Sequence, residues 1–225
     1  MRRDFQIRED NLIVVPMARE HIASCVAIHR DSFKDSYLSS LGNEFLTLMY
    51  WSFLNDPRES ALVCVRAETG QVVGFVCGSQ DWDAYLKDAL RRYLPRALPL
   101  LFMASLRRPR VAKGLLKRSR MLKEIIIGRF VRPQRKAPEL PKAALMSIAV
   151  ERDYLSRGVG ERLLRAYMDL MKNRGVAAIK LSVLDSNRAA WRLYQRLGWK
   201  SVAAVSSMAG ESSHYYVCYL TDPTA

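Results

Sequence analysis

Apolar and polar positions along this chain repeat with two different periods. Residues 12–15 (LIVV) form a short apolar run closed by Pro16, the pattern of a strand, and residues 18–33 carry Ile22, Cys25, Val26, Ile28 and Phe33 at helical spacing. Residues 41–55 continue as a second helix, with Phe45, Leu48, Met49 and Leu54 apolar and Asp56-Pro57 ending it. Residues 61–67 and 71–78 are β-rich runs joined by Glu68-Thr69-Gly70, a hairpin, and Gly74 inside the second run predicts a bulge or a close approach of another group. Pro138 and Pro141 precede a third region of order. There residues 144–150 (ALMSIAV) read as a buried strand, and 158–173 as a helix burying Leu163, Leu164, Tyr167, Leu170 and Met171, stopped by Gly175. Residues 177–184 alternate as a strand, 187–197 form a short amphipathic helix ended at Gly198, and 200–208 with 214–220 close the chain as an antiparallel pair.

This order of strands and helices is an α/β pattern with a mixed sheet, and no internal repeat interrupts it. A length of 225 residues fits one domain, 1–225, with an insertion at about 82–139. Composition changes the picture in one place. The formal net charge is +14, and residues 86–136 hold 16 Lys+Arg against 2 Asp+Glu, so the rest of the chain is neutral and the basicity belongs to the insertion. The cysteines, Cys25, Cys64, Cys77 and Cys218, have no metal-like spacing; they read as reduced core residues, and the compartment as cytoplasmic. No secretory leader and no bilayer-spanning stretch is expected; the longest apolar candidate, residues 98–106, is short and interrupted by Pro99.

Candidate chemistry begins where the strand at 144–150 meets the following helix. Successive N–H groups of Arg157, Gly158, Val159 and Gly160 can converge on an anion at the positive end of the helix dipole, with glycine where a β-carbon would block approach and Arg157 adding charge. A tight strand-to-helix turn is the alternative reading of these residues. A dinucleotide fingerprint is excluded, because the third glycine it needs falls at Leu163.

The stretch Leu155-Ser156-Arg157-Gly158-Val159-Gly160 resembles the (Q/R)xxGxG pyrophosphate loop of the GNAT N-acetyltransferases, with Leu155 at the position where that family prefers Gln or Arg. A second stretch, Asn187 to Trp199, is similar to the family's Asn-x-x-Ala-x-x-x-Tyr-x-x-x-Gly-aromatic pattern. Asn187, Ala190 and Tyr194 fall on one helix face, so a polar anchor, a small residue and a phenol line one groove; as purely structural residues they would be an N-cap, a filler and a core aromatic. The resemblance implies a GNAT-type mixed sheet splayed beside the strand at 144–150 and flanked by helices, with the basic helical insertion added. It implies acetyl-CoA as acyl donor, with no metal. Ile148, Ala149 and Val150 would line the cofactor arm, the backbone of Ile148 and Val150 pairing with it. Arg157, Gly158, Val159 and Gly160 would hold its phosphates, and Asn187 and Ala190 would border the arm. An amine would attack the thioester directly, Tyr194 would protonate the departing thiolate, and a backbone N–H would hold the oxyanion. Glu44, Asp81, Asp83, His29 and His214 are positional candidates for the base.

For residues 86–136, which mix Arg and Lys with Leu, Ile and Phe, the readings are a solvated helical hairpin, peripheral contact with an anionic membrane, and a lid over an anionic acceptor. Nucleic acid ranks last, because no reader motif is present and aromatics are few. The expected acceptor is a small amine, possibly a nucleotide-linked amino sugar, since the layout is loosely similar to acyltransferases of bacterial surface-polysaccharide pathways. A long-chain acyl donor, or a non-catalytic module binding membrane or nucleic acid, is the alternative. Oligomeric state is left open.

Overall fold

The computed structural model describes residues 11–107, 111, 140–206 and 212–221. Strand β1 (Leu12–Pro16) is followed by a 3-10 turn (Arg19–His21), helix α1 (Ile22–Ser32), the one-turn helix α2 (Tyr37–Ser40) and α3 (Asn43–Leu54). The hairpin β2 (Glu59–Arg66) and β3 (Val72–Ser79) leads into the long helix α4 (Trp82–Arg107). After residue 139 come β4 (Ala143–Val150), a second 3-10 turn (Arg152–Tyr154), α5 (Val159–Asn173), β5 (Ala178–Leu184), α6 (Arg188–Arg196), β6 (Lys200–Ser206) and β7 (Ser212–Tyr219).

The strands form one mixed seven-stranded sheet in the order β1-β2-β3-β4-β5-β7-β6. One core joins the sheet to α5 and α6 through Leu163, Leu164, Tyr167, Met171 and Tyr194. The other joins the opposite face to α1, α3 and the start of α4 through Ile22, Cys25, Leu46, Tyr50, Phe53 and Tyr85. Period-two alternation sorts the end of β4 between them, with Ile148 and Val150 packing with the first core and Ala149 with the second; Met146, where the register shifts, also packs with the second. All four cysteines are free and buried.

Local chemistry moves several expected boundaries. The helix expected over 18–33 opens as the 3-10 turn, in which the Ala18 N–H donates to His21 Nδ1 at 3.0 Å. The helix expected from 41 begins at Asn43, because Gly42 takes a φ of 98°. The additional helix α2 is capped by Ser36, whose Oγ accepts from the Ser39 N–H at 3.1 Å. Helix α4 runs through Pro95 and Pro99. Both expectations for Gly74 hold. The β2–β3 register slips opposite it at Cys64/Val65, and a β-carbon there would sit 3.0 Å from both Ala149 O and Leu163 Cδ1. No helix among the described residues is long and apolar enough to cross a membrane. Residues 108–110 and 112–136 of the basic segment and residues 207–211 lie outside the described residues.

Candidate active site

β4 pairs with β3 along its length, from Ser79↔Ala144 to Gly74↔Val150, with a register shift at Cys77/Gly78 that leaves Met146 as the extra residue on β4. With β5 it pairs, in parallel, only at Ala143↔Ile179 and Ala144↔Lys180. The two strands then diverge while β5 continues to Leu184. The Glu151 N–H donates to Val73 O at 2.8 Å. By strand alternation the backbone of Ala149 also faces β3, and that of Ile148 and Val150 faces the opening. The sheet therefore presents an unpaired strand edge inside the molecule, where an extended chain can add hydrogen bonds.

The C-terminal end of that edge leads into the anion loop. Tyr154, 9% exposed, anchors it in the core. Leu155 is extended and exposed, Ser156 takes a φ of 62° and Gly158 a φ of 78°. Two left-handed residues so close together curl the intervening amides into a concave nest. Gly158 is the N-cap of α5 and offers no side-chain cap, so the first-turn N–H groups stay available to an outside acceptor. The Arg157 guanidinium lies 5.3 Å from the centre of the Tyr154 ring. Glu161 in the first turn would repel an anion, but it is ion-paired to Arg165 at 2.8 Å and Arg196 at 3.1 Å, and those partners hold its carboxyl below the usual range. At Gly160 a β-carbon would meet Leu193 Cδ2 at 3.5 Å and Val150 Cγ2 at 3.7 Å. This glycine thus stands where α5, α6 and the end of β4 converge. Val159 is buried.

Helix α6 forms the other wall. The Asn187 Oδ1 accepts from the Ala190 N–H at 3.1 Å and caps the helix, so its amide hydrogens are left to an acceptor outside α6. Ala190 is half-buried against the α5 side of the sheet. Tyr194, one turn further, is 5% exposed, with its ring centre 5.7 Å from that of Trp199 and 6.1 Å from that of Tyr216. Burial pushes the phenol pKa well above its ordinary value, so the hydroxyl is protonated throughout the neutral range.

The five candidate bases scatter. His29 is 2% exposed, its Nδ1 2.6 Å from the Tyr50 hydroxyl, and burial lowers its pKa to about 4. Asp81 Oδ1 accepts from the Ala84 N–H at 3.0 Å at the start of α4, and Asp83 lies in the first turn of that helix. Glu44 lies in the first turn of α3. His214 on β7 is the one near α6: its Nδ1 is 2.8 Å from Asp185 Oδ1, and its ring meets Trp191 edge-on at 5.3 Å. Ser156, Glu151 and the Glu161–Arg196 link escaped the sequence reading, and nothing in the spacing signals them. No cluster of metal-ligating side chains occurs among the described residues.

A mixed sheet opened beside one strand and ending in a glycine nest at a helix N-terminus is the arrangement that the resemblance to the GNAT N-acetyltransferases implies. Residues 125–199 match the model of the Acetyltransferase (GNAT) family. Over 60 residues it is 45% identical to the [ribosomal protein bS18]-alanine N-acetyltransferase of Escherichia coli K12, covering 27% of this chain and 40% of that protein. Over 52 residues it is 38% identical to N-alpha-acetyltransferase 30 of Schizosaccharomyces pombe, covering 23% of this chain and 35% of the relative. The chain thus spans well under half the length of these relatives in sequence. Among solved structures, the ribosomal-protein-S18-alanine N-acetyltransferase of Escherichia coli superposes with a TM-score of 0.54 at 16% identity, covering 94% of this chain and 95% of that one. The acetyltransferase yncA of Salmonella typhimurium, solved with acetyl-CoA, gives 0.58 at 12% identity, covering 96% and 97%. These structural likenesses establish the fold.

Proposed function

We propose that this chain is an N-acyltransferase that moves an acetyl group from acetyl-CoA to a primary amine of a small acceptor within a ternary complex, residues 82–139 being an insertion in a single domain. The observation that carries the reading is the open edge of β4 running into the nest at 156–160. An extended pantetheine arm would add to that edge at Ile148 and Val150, beside Ala149. Its pyrophosphate would take the N–H groups of Arg157 to Gly160, with the Arg157 side chain adding charge. Asn187 and Ala190 would border the arm from α6.

The acceptor nitrogen attacks the thioester carbonyl carbon. The nitrogen loses its ammonium proton to solvent water, and the tetrahedral intermediate collapses with cleavage of the C–S bond, giving the amide and the CoA thiolate. Tyr194 holds a phenolic proton under all neutral conditions, but burial makes it a weaker acid than a free phenol. Its contribution is a hydrogen bond to sulfur as negative charge develops there, along which its proton passes to the departing thiolate and is replaced on the phenol from solvent. The acceptor we assign is a small polar amine, such as a nucleotide-linked amino sugar; a cavity of about 700 Å³ lies between α1 and the α2–α3 segment, lined by Arg30, Asp31, Lys34, Ser39, Ser40 and Asn43.

The test is thiol release from acetyl-CoA and from a long-chain acyl-CoA in the presence of a panel of amino sugars and alanine-initiated peptides. Acetyl-CoA is expected to be the better donor, and Tyr194→Phe to lower kcat about 10- to 100-fold with little change in CoA affinity. Undiminished turnover in the Tyr194→Phe variant would remove Tyr194 from the mechanism.

A further inference from the structure

The acyl-transfer site leaves α4 unexplained. Its first half is fixed to the domain: the Tyr85 hydroxyl lies 2.7 Å from Ser52 Oγ, the Tyr85 ring stacks on Phe53 at 4.8 Å, and Asp88 takes an ion pair from Arg58 at 2.5 Å. Its second half presents a different surface. Leu98, Phe102 and Leu106 are 55%, 64% and 65% exposed, and Met103 is 44% exposed. At about 100° per residue the first three lie within an arc of about 80°, one above the other over successive turns. Arg91 lies within the same arc and Pro99 beside it, while Arg92, Arg96 and Arg107 are exposed further round the helix, and from Ala89 to Arg107 the sequence has no acidic residue.

We infer that this face of α4 is a docking surface for an anionic lipid bilayer. An exposed apolar ladder next to water is unfavourable unless something covers it, and its arginine border selects a partner that is apolar within and negatively charged at its surface. A bilayer carrying anionic headgroups offers both at the right depths: phosphates meet the guanidinium groups while Leu98, Phe102 and Leu106 enter the boundary of the acyl chains. A nucleic acid would satisfy the arginines and leave the ladder wet, since Phe102 is the sole aromatic among these exposed positions and no stacking platform is formed. Met103 and Arg107 line a cavity of about 300 Å³ with Arg30, Asn43 and Glu44, so that side of α4 is turned to the domain and the ladder is turned away from it. The inference does not depend on acyl transfer.

The experiment is co-sedimentation of the full chain with vesicles of phosphatidylcholine alone and of phosphatidylcholine with phosphatidylglycerol, at low and physiological salt. At least tenfold stronger association with the anionic vesicles is expected, weakening as salt rises. The double substitution Phe102→Glu with Leu106→Glu is expected to cut that association at least tenfold while leaving the melting temperature and acetyl-CoA binding unchanged. Substituting Arg91→Gln should reduce the preference for anionic over neutral vesicles. The inference is overturned if the unmodified chain stays in the supernatant with anionic vesicles, if the Phe102/Leu106 variant sediments as well as the original, or if single-stranded nucleic acid binds and vesicles do not.

Discussion

Glu59 carries a charge problem that no sequence pattern announces. It is 4% exposed on the face packed by α3 and α4; Oε1 accepts from Ser79 Oγ at 2.8 Å, and Oε2 has no partner among the described residues. Burial pushes its pKa up to about 8, so the folded chain keeps a proton that the unfolded chain releases near 4.5. Stability contributed by this group is therefore fully present below about 4.5 and is lost as pH rises through 8. His29 works in the opposite sense: with its pKa lowered from 6.5 to about 4, it withdraws stability as pH falls through that window. Glu59→Gln should gain on the original chain as pH rises from 5 to 8, by about 3 °C or more in melting temperature; parallel melting curves would show that Glu59 is already ionised in the fold. Site residues were legible to different degrees. Gly158, Gly160, Asn187 and Tyr194 stood out because their spacing carries information along one loop and one helix face. Ser156 did not, since a serine at positive φ looks like any other serine in a sequence.

At the scale of elements, periodicity located most of the secondary structure, and caps and glycines decided its ends. The amphipathic helices at 158–173 and 187–197 and the strand at 144–150 lie within a residue or so of their expected positions, because each buries a face with a single period. The short helix α2 was missed because a one-turn helix has no period to read, and its Ser36 cap is an ordinary serine. Helix α4 continues through Pro95 and Pro99; a proline removes one intrahelical donor, and a helix with one face in solvent tolerates that loss locally. Gly78 shows how tightly β3, β4 and α5 are fitted together. A β-carbon there would fall 2.1 Å from the Tyr167 hydroxyl and 2.2 Å from Ala144 O, and the second is backbone that cannot rotate away. Gly78→Ala should cost about 3 kcal/mol or more in denaturant unfolding; a cost below about 1 kcal/mol would mean that the strands separate there easily.

For the molecule as a whole, the opening between β4 and β5 is the feature from which the functional account follows, and sequence alone reached it only through family resemblance. Strand pairing is a long-range property: nothing in residues 144–150 or 177–184 states that they meet at Ala143 and Ala144 and then separate. The charge asymmetry was legible from counting, whereas the exposed ladder on α4 needed the fold to show which apolar residues are left uncovered. The central claim is that the β4 edge and the nest at 156–160 bind acetyl-CoA. Isothermal titration with acetyl-CoA tests it most directly, using the original chain, Gly160→Leu and Gly160→Ala. The alanine β-carbon meets its neighbours only at ordinary contact distances, so that variant should fold normally and controls for the backbone. Micromolar binding by the original chain, lost in Gly160→Leu, is the predicted result; no binding by the original chain, or equal binding by Gly160→Leu, would contradict it.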